Sequence, residues 1–541
     1  MTFDRIVQVL TESTSRRTVL RSLALGMSGR LLTLGGASGL AVEDKATAAA
    51  RQKQHNDCPR SRRCKKRCCR RGETCKGGRC VKKQPPVHVR RSVHSLDESG
   101  PALTALARGI AVMKARESSD PTSWIFQANI HGTNDGAGAN WNQCTHGSFF
   151  FLAWHRMYLY WFERILRKAS GNPSLALPYW DYSESDQRIV PRPFRTPSSS
   201  LYVAQRNADV NAGQPPPAEN AWMFDHSPAF ETVNFFHTGS GTSFGGLQVS
   251  EALHSGGGAG QLENTPHNQV HSWVGGGSGW MGTVAMAARD PLFWLHHANI
   301  DRLWKRWLDQ AGGRANPTGD GDWMNDTFTF FDENGTEVTM SGKQIVDTAQ
   351  QLNYRYDDDG AASGAAAARR EKGASAAGKQ SVKELGKSKG AGGVDLGTDP
   401  VTVPIGLGAA LPDAGASSTE RRADAGVVLT LEGIQGTGVL GVAFEVYVNL
   451  PKDQQPSPRD DAFVGGVSLF GLQLQDAAAM GMGHTMMPAA LSFDITGAVA
   501  GRRASGREVT VTLVPVNLDA SRRLPKAPLA HLDSLVVSIV Q

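Results

Sequence analysis

Nowhere in this 541-residue chain is there an apolar run fit to span a bilayer. The one weakly apolar stretch, up to Leu40, is broken by Arg30 and several glycines, so no permanent transmembrane anchor is expected. Aromatic side chains are missing from the basic segment 58–83, which supplies much of the net charge of +6. Without stacking aromatics that charge is a poor signature of nucleic-acid binding, and no nucleic-acid partner is expected. Cysteine is nearly absent elsewhere: six of the seven fall at 58, 64, 68, 69, 75 and 80, and only Cys144 lies apart. Large apolar residues are nearly absent from 360–393, where alanine, glycine, serine and lysine dominate. Such a segment cannot build a core and reads as a linker.

Hydrophobic content of 40% and charged content of 20% describe a globular chain, and its length implies two or three units. Residues 1–50 read as an export leader. Ser15-Arg16-Arg17-Thr18-Val19-Leu20 matches the twin-arginine pattern, and Ala46-Thr47-Ala48 and Ala48-Ala49-Ala50 offer cleavage points. The expected location is therefore periplasmic or extracellular. An amphipathic N-terminal helix is the alternative. The clustered cysteines of 51–84 resemble a cystine-knot miniprotein, which an oxidising compartment would allow. Three disulfides could staple a segment with almost no core of its own, whereas a metal-binding knuckle is the alternative. Fifteen pairings are open. This basic segment is a candidate for adhesion to anionic surfaces, or simply a solvated spacer.

The chemistry sits in the histidines. His267-Asn268-Gln269-Val270-His271 places two imidazoles on one helix face, about 6 Å apart along the axis. Asp290-Pro291-Leu292-Phe293-Trp294-Leu295-His296-His297 can supply a third. Upstream stand His131, His146 and His155. Six imidazoles without a carboxylate or thiolate suggest two equivalent three-imidazole sites. That set suits a dinuclear copper centre better than a zinc hydrolase.

The spacing of Leu103, Leu106, Ile110 and Met113 predicts a helix, and 147–168 predicts another, buried on most sides. Residues 266–275 and 291–309 read as two more, the last capped by Asp290 ahead of Pro291. A four-helix bundle with ligands pointing inward is the expected architecture, with His131 arriving from a loop or short helix. Segment 183–265 reads as long surface loops. Beyond 400, Val427–Leu431, Val439–Val448, Val467–Leu474 and Val509–Val514 read as short strands of a sandwich or jelly-roll-like domain.

The histidine segments resemble the copper A and copper B motifs of the type 3 copper family: tyrosinases, catechol oxidases and hemocyanins. The resemblance implies a mainly α catalytic domain and an all-β C-terminal domain. It also implies two copper ions, ligated by His131, His146 and His155 on one side and His267, His271 and His297 on the other, with dioxygen as co-substrate. His297 is taken over His296 because the family's third ligand lies one helical turn before an aspartate, here Asp301. Cys144, as Cys144-Thr145-His146, matches the cysteine that family members join to this histidine by a thioether, a free buried thiol being the alternative. Asp322-Trp323-Met324-Asn325 and Phe331-Asp332-Glu333-Asn334-Gly335 resemble the middle segment of plant polyphenol oxidases. Leu429–Ile434 and Thr510–Pro515 resemble their C-terminal domain. The resemblance covers roughly 100–356 and 425–541.

The organisation so implied is a leader at 1–50, the cysteine-rich segment at 51–84 and a copper-binding domain at 85–312. A middle segment follows at 313–356, then a linker at 357–402 and a β domain at 403–541 that caps the active site in latent members. The implied reaction is oxidation of small phenols: catechols to ortho-quinones, with monophenol hydroxylation as well. Glu263 and Asn268 match the acid and the water-holding asparagine linked to hydroxylation, a surface glutamate near a helix start being the plainer reading. Val284 stands where many plant enzymes place a bulky phenylalanine over copper A. Asp301 is placed to accept from a ligand N–H or to pair with Arg302 or another neighbour, and Phe293 to pack on an imidazole face. The loop Met480–Met487 could load metal or plug the site, or be merely flexible. A hemocyanin-like oxygen carrier is the competing function, and a two-zinc hydrolase a distant third.

Overall fold

The computed structural model describes residues 63–64, 67–70, 73–82 and 87–541, apart from 137, 139, 360–380, 391, 410, 412–425, 473–486 and 502–506. The leader at 1–50, Cys58 and Met480–Met486 lie outside the described residues. Among those described, no helix is long and apolar enough to cross a membrane. The chain divides into two units, 1–85 and 86–541.

In the first unit, strands Arg63–Cys64 and Arg67–Cys68 pair antiparallel, as do Glu73–Lys76 and Arg79–Lys82. Disulfides join Cys64 to Cys75 and Cys69 to Cys80, and Cys68 is also disulfide-bonded. Sulfurs committed in this way cannot ligate a metal, which removes the knuckle reading for these residues.

The second unit begins with a helical half. Helix α1, Pro101–Lys114, buries Leu103, Leu106, Ile110 and Met113, the stripe its spacing requires. Helix α2, Trp124–His131, is capped by Ser123, whose hydroxyl accepts from the Phe126 N–H. Helix α3, Phe150–Ser170, is buried on most sides and stops at Gly171 in the left-handed region. An irregular turn, Glu263–Asn268, feeds helix α4, Gln269–Gly275. Helix α5, Pro291–Asp309, starts with Asp290 accepting from the Leu292 N–H.

A buried ion network clamps α3 to α5. Asp301 accepts from Arg156 Nε at 2.5 Å, from Arg90 Nη1 at 3.3 Å and from the hydroxyls of Tyr354 and Tyr356, each at 2.6 Å. Arg90 also donates to Glu163 at 2.8 Å. It lies on strand His88–Arg90, which pairs in parallel with Tyr354–Tyr356. The carboxylate of Asp301 is thus spent on two guanidinium groups and two phenols rather than on a ligand imidazole. Arg302 pairs instead with Asp181 and Asp358.

The β half supplies six strands of a seven-stranded sheet and all of a four-stranded sheet, packed around a second apolar core. The linker expected over 357–402 is shorter than that: Val382–Lys387, Val394–Leu396 and Val401–Gly406 are strands of these sheets. Their glycine- and lysine-rich composition conceals them, because pairing with Ser534–Val540 and Glu508–Asn517 rather than local propensity orders them. Each half has an apolar core, and the two cores adjoin. Among the described residues of the β half, Ala443, Phe470 and Leu518 are the buried members of the helical core.

The halves meet closely. Gly257–Gly258 of the helical half adds a parallel strand to Ala489–Ala490. Gly256 must be glycine here: its φ is +85°, and a Cβ would lie 1.7 Å from the Met487 carbonyl oxygen. The Trp222 indole N–H donates to Glu445, and Asn207 donates to the Leu518 carbonyl at 2.8 Å.

Candidate metal centre

Six histidines converge at the join between α2, α3, α4 and α5. His131 is the last residue of α2, and His155 lies one turn into α3. His146 precedes α3, His267 leads into α4, and His271 and His297 sit within α4 and α5. Ring centroids of His131, His146 and His155 are 5.3–5.5 Å apart. Those of His267, His271 and His297 are 4.6–5.6 Å apart. The trios touch where His155 stacks on His297 at 4.3 Å.

Main-chain carbonyls fix most of these rings. Nδ1 of His131 bonds the Val284 carbonyl, His146 that of His254, His155 that of Phe151 and His271 that of Met281, at 2.9–3.2 Å. Nδ1 of His267 bonds Asn268 Oδ1 at 2.8 Å. This leaves Nε2 of His131, His146, His155 and His267 buried without a partner. Burial pushes His131 and His267 down to about 3 and the other four well below the usual imidazole value. Neutral rings with orphaned, inward nitrogens are what a metal ion requires, and an all-imidazole set suits copper. His296 lies in the same cluster, 4.8 Å from His271, with its Nδ1 bonded to the Tyr182 hydroxyl at 3.0 Å.

Glu263 is fully enclosed. Its Oε1 accepts from the Gly147 N–H at 2.8 Å while Oε2 has no partner, and burial lifts its carboxyl to about 8. It is therefore not a surface residue. A cavity of about 30 Å³ lies between Glu263, Asn268, Gly147 and Phe470. Val284 is buried, with its carbonyl committed to His131. Phe293 meets His131 edge-on at 4.7 Å and His297 at 4.2 Å. Cys144 Sγ lies 3.4 Å from His254 Nδ1, and it shares a cluster with the ring nitrogens of His131 and His146.

Sequence reasoning misses Phe470 and Tyr182. Phe470, from the β half, lies over His271 with centroids 4.0 Å apart and planes 11° apart, and it also approaches His267 and His146. An aromatic followed by glycine just beyond a strand is its only local signal.

A family model described as the common central domain of tyrosinase matches residues 121–240 and 205–310. Another, described as the polyphenol oxidase middle domain, matches 318–363, and a domain of unknown function matches 391–530. A polyphenol oxidase of Malus domestica is 30% identical over 412 residues, covering 70% of this chain and 68% of that protein. The chain belongs to the type 3 copper family of tyrosinases and polyphenol oxidases. A tyrosinase of Hahella sp. (strain CCB-MM4) is 37% identical over 308 residues, covering 50% of this chain and 63% of the relative. The chain thus spans under two thirds of that relative, and about half of several plant polyphenol oxidases. The structure of latent apple tyrosinase shares the fold, with a TM-score of 0.60 at 23% identity over 85% of this chain and 98% of that one. The imidazole cluster of this polyphenol oxidase family member fits the dicopper centre of its family.

Proposed function

We propose that this chain is an exported copper oxidase of small phenols, converting catechols to ortho-quinones with dioxygen and hydroxylating monophenols as well. The observation that carries this reading is the meeting of two neutral imidazole trios, four of whose inward nitrogens have no protein partner. His131, His146 and His155 would hold one copper ion and His267, His271 and His297 the other. Bound copper would supply dioxygen binding and electron transfer. The helical half is read as a four-helix bundle and the β half as a sandwich.

The chain's own residues do the rest. Four main-chain carbonyls and the Asn268 side chain hold imidazoles as the tautomer that turns Nε2 inward. Glu263 and Asn268 line a cavity with room for one water, so the ionised form of Glu263 can take a proton there. Val284, smaller than phenylalanine, leaves space for bulky phenols. Cys144 would lock His146 by a thioether. The basic disulfide module would hold the exported protein to anionic surfaces.

Phe470 lies over the centre and is read as excluding substrate, so the full-length chain is read as latent until the β half is removed. That same shielding favours one other reading, reversible oxygen carriage. Catechol added to copper-loaded protein, before and after removal of the β half, separates the two. Quinone absorbance rising on trimming supports the oxidase, and none in either form rejects it.

A further inference from the structure

We propose that the join between the two halves holds a second binding site, separate from the histidine cluster, for a planar aromatic carboxylate that clasps the β half to the helical half. A cleft of about 810 Å³ opens there, within the size range of small-molecule sites. Trp222 and Phe224 line it from the helical half, Phe463 and Phe493 from the β half. The Trp222 and Phe463 ring centroids lie 5.6 Å apart, so a flat ligand meets aromatic walls from both halves. The strand Phe463–Ser468, paired with Val442–Val448, is irregular where it borders this cleft. Val446 opposes Gly465 and Tyr447 opposes Phe463, so Val464 is an extra residue in the ladder. Phe463 and Val464 are consecutive, yet both reach the cleft; regular alternation would turn one of them away. Gly465 keeps the backbone bare beside them: at its φ of +141°, a Cβ would lie 2.9 Å from the Phe493 ring.

The sign of the ligand's charge follows from two arginines, Arg188 of the helical half and Arg459 of the β half, which also line the cleft. Arg188 Nε donates to the Tyr182 carbonyl at 3.2 Å, and its guanidinium lies 5.0 Å from the Phe224 ring centroid. Among the described residues no carboxylate pairs with either guanidinium. The Nη groups of Arg188 are thus left for an anion, and a guanidinium set against an aromatic face suits a carboxylate carried on a ring. Burial lowers the pKa of Arg188 in spite of Asp225 and Glu184, so its charge is under-compensated. Glu219 and Asp225 line the cleft too, but they are exposed, as is Arg459. The half-buried charge is that of Arg188, and it is positive. A ligand that touches both halves binds only while they are docked, and so stabilises the docked state. The strand Phe463–Ser468 leads directly to Phe470 over His271, so the clasp also steadies that ring.

Metal-free full-length protein tests this, so the result is independent of the oxidase reading. Calorimetry should detect binding of naphthoate, while its neutral amide and the naphthylmethylamine cation should each bind at least about tenfold more weakly. Arg188→Gln combined with Arg459→Gln should raise the Kd for naphthoate about tenfold. Arg459→Gln alone, at an exposed residue, should raise it about threefold and keeps the test open should the Arg188 variant misfold. Bound naphthoate should also slow amide hydrogen exchange in residues 463–468 at least about threefold. An acid that does not bind, an amide or amine that binds as well, or a Kd indifferent to both arginines overturns the site. Binding without slowed exchange overturns the clasp.

Discussion

Arg156, the neighbour of His155, and Asp301, one turn past His297, form a buried ion pair at 2.5 Å. One bond thereby ties the helix of one imidazole trio to the helix of the other, with Arg90 completing the clamp.

Asp301→Ala should therefore be severely destabilising, because two buried guanidinium groups lose their counter-charge. A loss of about 3–5 kcal/mol is expected, seen as a large fall in Tm, with weakened copper retention following. Although burial opposes ionisation of Asp301, Arg156 and Arg90 hold its carboxyl below the usual value. Its contribution is thus present above the unfolded carboxylate range and lost as pH falls through the lowered folded value. Wild type and Asp301→Asn should converge in stability only in strong acid.

Phe470→Ala in the full-length chain should raise kcat/KM for catechol at least about tenfold, since the ring that fills the site is gone. Quinone absorbance measures it. An unchanged rate would mean that Phe470 does not set latency.

Glu263→Gln should lower monophenol hydroxylation by about a hundredfold or more while catechol oxidation falls much less, as expected when only a proton acceptor is removed. The ratio of initial rates on the two substrates is the readout. Equal losses would assign Glu263 to shaping the fold.

The same residue governs stability of the metal-free protein. Its carboxyl is raised to about 8 by burial, so the unfolded chain ionises first as pH climbs from about 4.5. Folding is penalised progressively between that pH and about 8. Metal-free Glu263→Gln should gain Tm relative to wild type across that window and show no gain below it.

Cys144→Ser should abolish the loss of two hydrogens that intact-mass measurement is expected to detect when wild type is loaded with copper in air. A wild-type mass unchanged on loading would leave Cys144 a free thiol.

The pairing of His267 with His271 is legible from helical periodicity, and α3 and α5 announce themselves by their apolar faces; the division of six histidines into two trios comes from the family resemblance. The partners of Asp301 are not legible. Arg90 lies 211 residues away in sequence, and nothing near either residue encodes the meeting. Glu263 looks like a glutamate at a helix start; only the Gly147 N–H and the surrounding walls make it an enclosed acid. Phe470 belongs to one half and acts on the other, so its place depends on docking rather than on local pattern. The strands at 382–396 are hidden for a related reason, since their order comes from distant partners such as Ser534–Val540.

On the latent reading proposed above, the short parallel ladder between Gly257–Gly258 and Ala489–Ala490 bears on how the two halves would separate. A protease that severs the tether leaves these main-chain bonds and the interlocked Gly256 turn intact. Scission and departure are then separate events, and a cut chain can stay silent until something peels the two pieces apart.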